Sequence, residues 1–291
     1  MELGADYGFR GSTHYRKPSE SEAIAIVKAA LDAGISLIDT APSYGRAEAI
    51  VGAAIAGRAS KPRIATKVTI PEDAVGSALH AAIESTVEAS LRVLGVHRID
   101  LLQIHNSNHA ILARSDVADS LTRLVASGKV HCCGASVYGE DLARDAIANP
   151  GIAVIQAPYN LLDQQLARSL FSSAVAAGRG VLVRSAFLRG ILTPRIDDTP
   201  PQLYPIRQTA HRALAAAGCP ISDAARFALR YCLSNPHIHS VIVGVRSRAE
   251  LDDTLSAATM EPLPDGLLER MKEFDLSSHP LISPQQWTGL I

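Results

Sequence analysis

Short apolar runs recur along the chain, each about a strand long: Ile35–Ala41, Arg63–Val68, Ile99–His105, His131–Val137, Val154–Asn160, Gly180–Phe187 and Ser240–Val245. Between them, longer segments repeat apolar residues at helical spacing. These are Ser21–Ala33 (with Ala23, Ile26, Val27, Ala30 and Leu31), Ala78–Leu94, Ser120–Ser127, Gln165–Ala177 and Asp223–Leu233. Strand and helix alternating in this way give parallel strands joined by crossover helices. The pattern therefore predicts one α/β domain over residues 1–291. A doubly wound dinucleotide fold would carry G-x-G-x-x-G after an early strand, and the chain has none. Seven strand–helix repeats predict instead a (β/α)8 TIM barrel that lacks, or has truncated, its first strand. Thr193–Arg207, with four prolines, reads as an excursion loop on the rim. Residues 262–291 form a C-terminal extension with one helix-like piece, Asp265–Phe274.

Composition supplies the core and removes several function classes. Of 291 residues, 47% are hydrophobic and 20% charged, and 28 Lys and Arg stand against 29 Asp and Glu for a formal net charge of −1. That combination argues against disorder and provides no basic face for nucleic-acid phosphates. No apolar run approaches the roughly 18 residues of a membrane span. Met1–Asp6 lacks the charged-then-apolar pattern of a secretory signal. Cys132, Cys133, Cys219 and Cys232 make neither a disulfide framework nor a zinc spacing, and His237 and His239 have no ligand-spaced partner. The expectation is a cytoplasmic protein without metal, membrane or nucleic acid; no feature of the sequence specifies its oligomeric state.

In a barrel the active site collects at the carboxyl ends of the strands, so the residue at which each run stops is informative. The first run ends Ile38-Asp39-Thr40-Ala41, with Tyr44-Gly45 in the loop beyond; the second ends Ala65-Thr66-Lys67; the third ends Gln103-Ile104-His105. Singly, each has a plain structural reading: Asp39 as a cap, Lys67 snorkelling, His105 on the rim, Tyr44 as packing. Together, on neighbouring strands, they suit proton donation to a carbonyl. A phenol has a pKa near ~10, and an ammonium within about 4–6 Å favours the phenolate. Asp39 would hold Lys67, and His105 would bond the substrate oxygen or relay the proton. An acid of this kind serves an oxyanion forming opposite a hydride, hence a nicotinamide cofactor.

The segments Ile38-Asp39-Thr40-Ala41-Pro42-Ser43-Tyr44-Gly45-Arg46-Ala47-Glu48, Ile64-Ala65-Thr66-Lys67-Val68 and Asp100-Leu101-Leu102-Gln103-Ile104-His105 resemble the signature blocks of the aldo-keto reductases. The similarity continues through Gly128-Lys129-Val130, Gly134-Ala135-Ser136, Val154-Ile155-Gln156-Ala157-Pro158-Tyr159-Asn160 and Val241-Ile242-Val243-Gly244, over residues 3 to 260. The resemblance implies a barrel that reduces an aldehyde, ketone or sugar-like carbonyl with NADP(H), or runs the reverse. It also implies a tetrad of Asp39, Tyr44, Lys67 and His105 with Tyr44 as general acid/base.

By the same resemblance, Ser136 and Gln156 hydrogen-bond the nicotinamide carboxamide; Val137 stands where the family usually has Asn. Arg184-Ser185-Ala186-Phe187-Leu188-Arg189-Gly190 replaces the family's Tyr-Ser-Pro-Leu-Gly-x-Gly, making Arg184, Ser185, Phe187, Leu188 and Gly190 candidate cofactor contacts. At the place of the stacking ring, Arg184 offers a flat guanidinium, whose charge would sit beside a ring that becomes cationic on oxidation. Its Arg-Ser-x-Phe-Leu-x-Gly wording resembles a bacterial subgroup of the family. Farther on, Gly244-Val245-Arg246-Ser247-Arg248 runs into a helix from Ala249, an arrangement that suits phosphate. Arg246 and Arg248 either clamp the adenosine 2′-phosphate or are solvated rim arginines. Thr254 replaces an adenine-contacting Asn, and Glu250 a frequent Arg. NADP(H) rather than NAD(H) is the expectation.

Two other readings compete. Arg184, Val137 and the absent strand favour a non-catalytic nicotinamide-binding barrel, serving as a redox sensor or partner subunit. A lyase could instead use Lys67 as a Schiff base. Leu3–Phe9 matches a stretch that follows a Leu-Gly-Thr strand in the related subgroup; either residues 1–5 form a stub, another segment fills the gap, or the start is shortened, which is the expectation. Asn106-Ser107-Asn108-His109 is expected to line a substrate pocket. Trp287 either closes over the mouth or packs outside, and Cys132-Cys133 read as alternating core positions.

Overall fold

The computed structural model describes residues 3–4, 9, 17–287 and 289. Residues 1–2, 5–8 and 10–16 lie outside that set, and with them most of the stretch on which the first-strand expectation falls. The strands are β1 (Leu37–Asp39), β2 (Arg63–Val68), β3 (Ile99–Ile104), β4 (Val130–Ser136), β5 (Val154–Pro158), β6 (Gly180–Arg184) and β7 (Ser240–Val241). They follow the seven apolar runs in order, and neighbouring strands follow chain order. The last three runs outlast their ladders. Asn160 and Asp163 exchange backbone hydrogen bonds in a tight turn, and Ser185 takes φ 64°, which takes it out of β-strand geometry.

The helices are α1 (Glu20–Asp32), α2 (Ala47–Ile55), α3 (Gly76–Leu94), α4 (His109–Leu112), α5 (Ser115–Ala126), α6 (Glu140–Ala148), α7 (Gln165–Ser169), α8 (Phe171–Ala176), α9 (Tyr204–Ala216), α10 (Ala224–Leu233), α11 (Arg248–Ala258) and α12 (Asp265–Met271). Local chemistry sets several boundaries. Ser19 opens α1 with a capping box: its hydroxyl accepts from Glu22 N, and Glu22 returns to Ser19 N at 2.8 Å. Gly95, at φ 64°, closes α3. The single helix expected over Gln165–Ala177 breaks at Leu170, whose φ of −135° ends α7. The loop expected over Thr193–Arg207 holds 3-10 turns at Ile196–Asp198 and Pro201–Leu203, and α9 begins inside it because Pro205 falls in a first turn, where proline is tolerated.

The chain forms two compact units. The first comprises Lys17–Gln156 with Ala176–Gly180; the second comprises Ala157–Val175 with residues 181–287. In the first, β1 to β5 pair in parallel, with Asp39 opposite Ala65, Lys67 opposite Gln103, Gln103 opposite Gly134 and Ser136 opposite Gln156. Its core sets Ala23 and Val27 of α1 against Ile50 and Ala54 of α2, and Val51 and Ile55 against Ile64 and Leu94. Burying each large aliphatic side chain contributes about 1.5–3 kcal/mol. Gly52 lets α2 approach α3, since a Cβ there would lie 2.4 Å from the Val93 carbonyl oxygen. In the second unit β6 pairs in parallel with β7, and Tyr159 and Tyr231 stack with ring centroids 5.6 Å apart. Trp287 is fully buried there, donating to the Leu281 carbonyl at 2.8 Å with the Phe9 ring 5.6 Å away.

Candidate active site

Parallel register determines which side chains share a face, because paired residues point the same way and the strand period is two. Asp39, Lys67, Gln103, Ser136 and Gln156 therefore project from one face of the first unit's sheet, with His105 next in phase after Gln103. Gly134 opens space on that face: a Cβ there would lie 2.7 Å from Val154 O and 3.3 Å from Gln103 Cγ.

The Lys67 side chain is 1% exposed and forms an ion pair with Asp39 Oδ1, whose own side chain is 7% exposed. Lys67 Nζ also donates to the Thr40 carbonyl at 3.0 Å. Oδ2 of Asp39 accepts from Gln103 Nε2 at 2.9 Å and from Gln156 Nε2 at 2.8 Å. A buried ion pair survives only where its remaining polar capacity is met, and these donors meet it. Tyr44 stands in the turn after β1, where its N–H donates to Ala41 O and its carbonyl accepts from Ala47 N, both at 3.1 Å. Its hydroxyl lies 3.5 Å from His105 Nε2, and the two rings meet edge to face at 81°. The Lys67 ammonium lies 5.0 Å from the Tyr44 ring centroid, within cation–π range. Ser43 Oγ reaches the other imidazole nitrogen, Nδ1, at 3.4 Å. Asp39, Tyr44, Lys67 and His105 thus form one connected cluster.

Two further residues, without a role in the sequence pattern, hold this cluster. Gln103 lay in view within the third run, but its partner is 64 positions away. Buried Glu48, on the first turn of α2, accepts from Thr66 Oγ1 at 2.7 Å and so ties the helix after the Tyr44 turn to the strand carrying Lys67. The four residues after His105 have structural partners. Asn106 exchanges two 2.9 Å bonds with the Ile70 backbone, and Ser107 bonds Ile104 O. Asn108 caps α4, and His109 pairs with Asp145 at 2.6 Å. Cys133 is buried on the opposite face, where desolvation pushes its thiol up to about 12; Cys132 is half-buried. Among the described residues no group of His, Cys, Asp and Glu could hold a metal.

The remaining candidate residues lie in the second unit. Arg184 ends β6, with Nη1 3.5 Å from Ser185 Oγ, and the Asn160 side-chain amide holds the Ser185 carbonyl at 3.2 Å. Ser185, Leu188 and Arg189 all have positive φ, at 64°, 43° and 53°, before Gly190 at 105°. Three non-glycine residues in the left-handed region within five positions amount to stored backbone strain, which clusters at functional loops. Phe187 N-caps the 3-10 turn Leu188–Gly190. Gly244 is exposed in the segment between β7 and α11. The Arg246 side chain is 7% exposed and bonds Glu250 at 3.0 Å; that of Arg248 is 69% exposed and bonds Asp252 at 2.8 Å.

The chain belongs to the aldo-keto reductases: the Aldo/keto reductase family pattern matches residues 7–276. It is 31% identical over 195 residues to the aldo-keto reductase YhdN of Bacillus subtilis, a match that covers 65% of this chain and 59% of that protein, under two thirds of its length. It is 26% identical to the D-threo-aldose 1-dehydrogenase of a Pseudomonas species, over 91% of this chain and 92% of that protein. Among solved structures, the glycerol dehydrogenase AKR11B4 of Gluconobacter oxydans superposes with a TM-score of 0.71 at 26% identity, covering 93% of this chain and 89% of that one. The holo form of AKR11C1 from Bacillus halodurans shares the fold, with a TM-score of 0.76 at 23% identity over 95% and 92% of the two chains. The fold class is accordingly the family's (β/α)8 barrel, seen here with seven parallel strands among the described residues. The chain is an oxidoreductase of a family that works with nicotinamide cofactors. No helix among the described residues is long and apolar enough to cross a membrane.

Proposed function

We propose that residues 1–291 act as one catalytic domain that interconverts a small aldehyde, ketone or sugar-like carbonyl and its alcohol, with Tyr44 as general acid/base. The observation that carries this reading is the connected cluster in which the Tyr44 hydroxyl faces His105 Nε2 at 3.5 Å while Lys67, paired with Asp39, lies 5.0 Å from the phenol ring. The donor set suits a nicotinamide: Ser136 and Gln156, opposite one another on β4 and β5, offer a hydroxyl and an amide to a carboxamide. A bound nicotinamide supplies the hydride. Tyr44 delivers the proton to the carbonyl oxygen and takes it back in the reverse direction. The Lys67 charge stabilises the phenolate left behind. His105 orients the carbonyl oxygen alongside Tyr44, and Ser43 holds the imidazole from its far side.

The connected tetrad supports catalysis over a barrel that only binds dinucleotide. It also argues against a Schiff base, since Lys67 Nζ is engaged by the Asp39 carboxylate and by Thr40 O. The names of the Pseudomonas and Gluconobacter relatives, an aldose and a glycerol dehydrogenase, support polyhydroxylated substrates. The expectation of NADP(H) over NAD(H) rests on Arg246 and Arg248 as a phosphate clamp. The test is Tyr44→Phe, assayed on aldehydes, aldoses and glycerol. We expect kcat to fall by about 10²–10⁴ while dinucleotide affinity persists; undiminished turnover refutes the assignment.

A further inference from the structure

The residues expected to clamp a 2′-phosphate already hold an anion, and it belongs to the chain. Ser247 caps α11, its hydroxyl accepting from Glu250 N at 3.1 Å. In a Ser-x-x-Glu capping box the glutamate turns back to the N–H of the cap residue. Glu250 reaches one residue further. Its Oε2 accepts from Arg246 N at 2.8 Å and its Oε1 from Arg246 Nη2 at 3.0 Å. Arg195 Nη1, from the proline-rich segment before α9, lies 3.8 Å from the same Oε1. A helix N-terminus, a backbone N–H and two guanidinium groups make the donor set that a phosphate monoester seeks, and the Glu250 carboxylate fills it. Arg248, largely exposed and bonded to Asp252, faces solvent.

We propose that Glu250 makes this chain select NAD(H) over NADP(H). The inference rests on the reading above that the protein binds a nicotinamide dinucleotide, and it reverses the expectation drawn from Arg246 and Arg248. A 2′-phosphate carries about −1.5 to −2 charges and would meet a carboxylate that Arg246 holds from both its backbone and its side chain. A 2′-hydroxyl carries a proton and can donate it in a hydrogen bond to Glu250, the role acidic residues play toward the ribose in other dinucleotide sites.

The test is calorimetric titration of the full chain with NADH, NADPH, 5′-AMP and 2′-phospho-5′-AMP, in the wild type and in Glu250→Gln and Glu250→Ala. We expect the wild type to bind NADH at least about tenfold more tightly than NADPH, one decade being the least that like-charge apposition should cost. Both variants should move that preference toward NADPH by about tenfold, and the two nucleotide fragments should follow. Glu250→Gln keeps an acceptor for Arg246 N, and a thermal melt of each variant checks its fold. A wild type that prefers NADPH, or that binds both dinucleotides equally, overturns the selectivity alone; so does a preference that neither variant moves. A wild type that binds neither dinucleotide overturns the proposed function, and this inference with it.

Discussion

Gln103 donates its side-chain amide to Asp39 Oδ2 over 2.9 Å, on the carboxylate oxygen opposite the one that holds Lys67. The contact exists because β2 and β3 pair Lys67 with Gln103, and because Gly134 leaves room on β4 for the longer side chain. Gln103→Leu removes one of the two amide donors to Oδ2. We expect a loss of about 1–3 kcal/mol in unfolding free energy, the usual cost of a buried polar atom losing a partner, together with a lower kcat. Urea unfolding and steady-state kinetics read the two effects. A variant that matches the wild type in both shows that Gln156 alone suffices.

The Asp39–Lys67 pair should behave as a unit. Both side chains are almost wholly buried, so removing one leaves the other charge without its partner. Lys67→Met and Asp39→Asn are each expected to cost about 3–5 kcal/mol. The double variant should cost clearly less than the sum, because no lone charge remains. A double-mutant cycle in urea decides it, and strict additivity refutes the coupling.

Gly4 is buried against the Tyr44 turn. Its carbonyl accepts from Arg46 N at 3.1 Å, and a Cβ there would lie 2.4 Å from Tyr44 O and 2.3 Å from Ala47 N. These atoms are backbone and cannot step aside as a flexible side chain would. Gly4→Ala is therefore expected to shift the turn that carries the phenol. The fall should appear in kcat more than in dinucleotide affinity, and wild-type turnover by the variant would contradict it.

The parts of this molecule that could be read from sequence are those in which one short segment carries both pattern and chemistry. Arg63–Val68 has the same limits in sequence and in structure, and Asp39, Lys67 and His105, at or near the ends of the first three runs, join the cluster. Helix α2 escaped because it is apolar on nearly every side; it buries Ala47, Ile50, Val51, Ala54 and Ile55, so no polar stripe marks a helical period. The roles of Gln103 and Glu48 depend on register, which pairs residues far apart in the chain. Glu250 reads in sequence as a departure from the family pattern, and its partner emerges only where the turn before α11 places Arg246 N within reach.

Asp163 makes stability depend on pH in a direction opposite to that of most carboxylates. Burial lifts its pKa from 3.8 to about 6; a hydrogen bond from Ser277 opposes the rise, the Asp275 carboxylate adds to it and Arg184 offsets it. Asp275 is itself paired with Arg168 at 2.6 Å. In the unfolded chain an aspartate titrates near ~3.9, so between the two values the folded state holds the proton that the unfolded state has released. Stability at this site is therefore full below the unfolded value and declines as pH rises to about 6. Above that both states are ionised, and the cost levels off on the order of 2–3 kcal/mol at 1.36 kcal/mol per pKa unit. Asp163→Asn keeps a neutral side chain of the same shape at every pH. Its stability relative to the wild type should rise from acid to near neutrality and then stay level. Urea midpoints at steps across that range measure the difference. Parallel wild-type and variant curves would mean that Asp163 ionises in the folded protein as freely as in water.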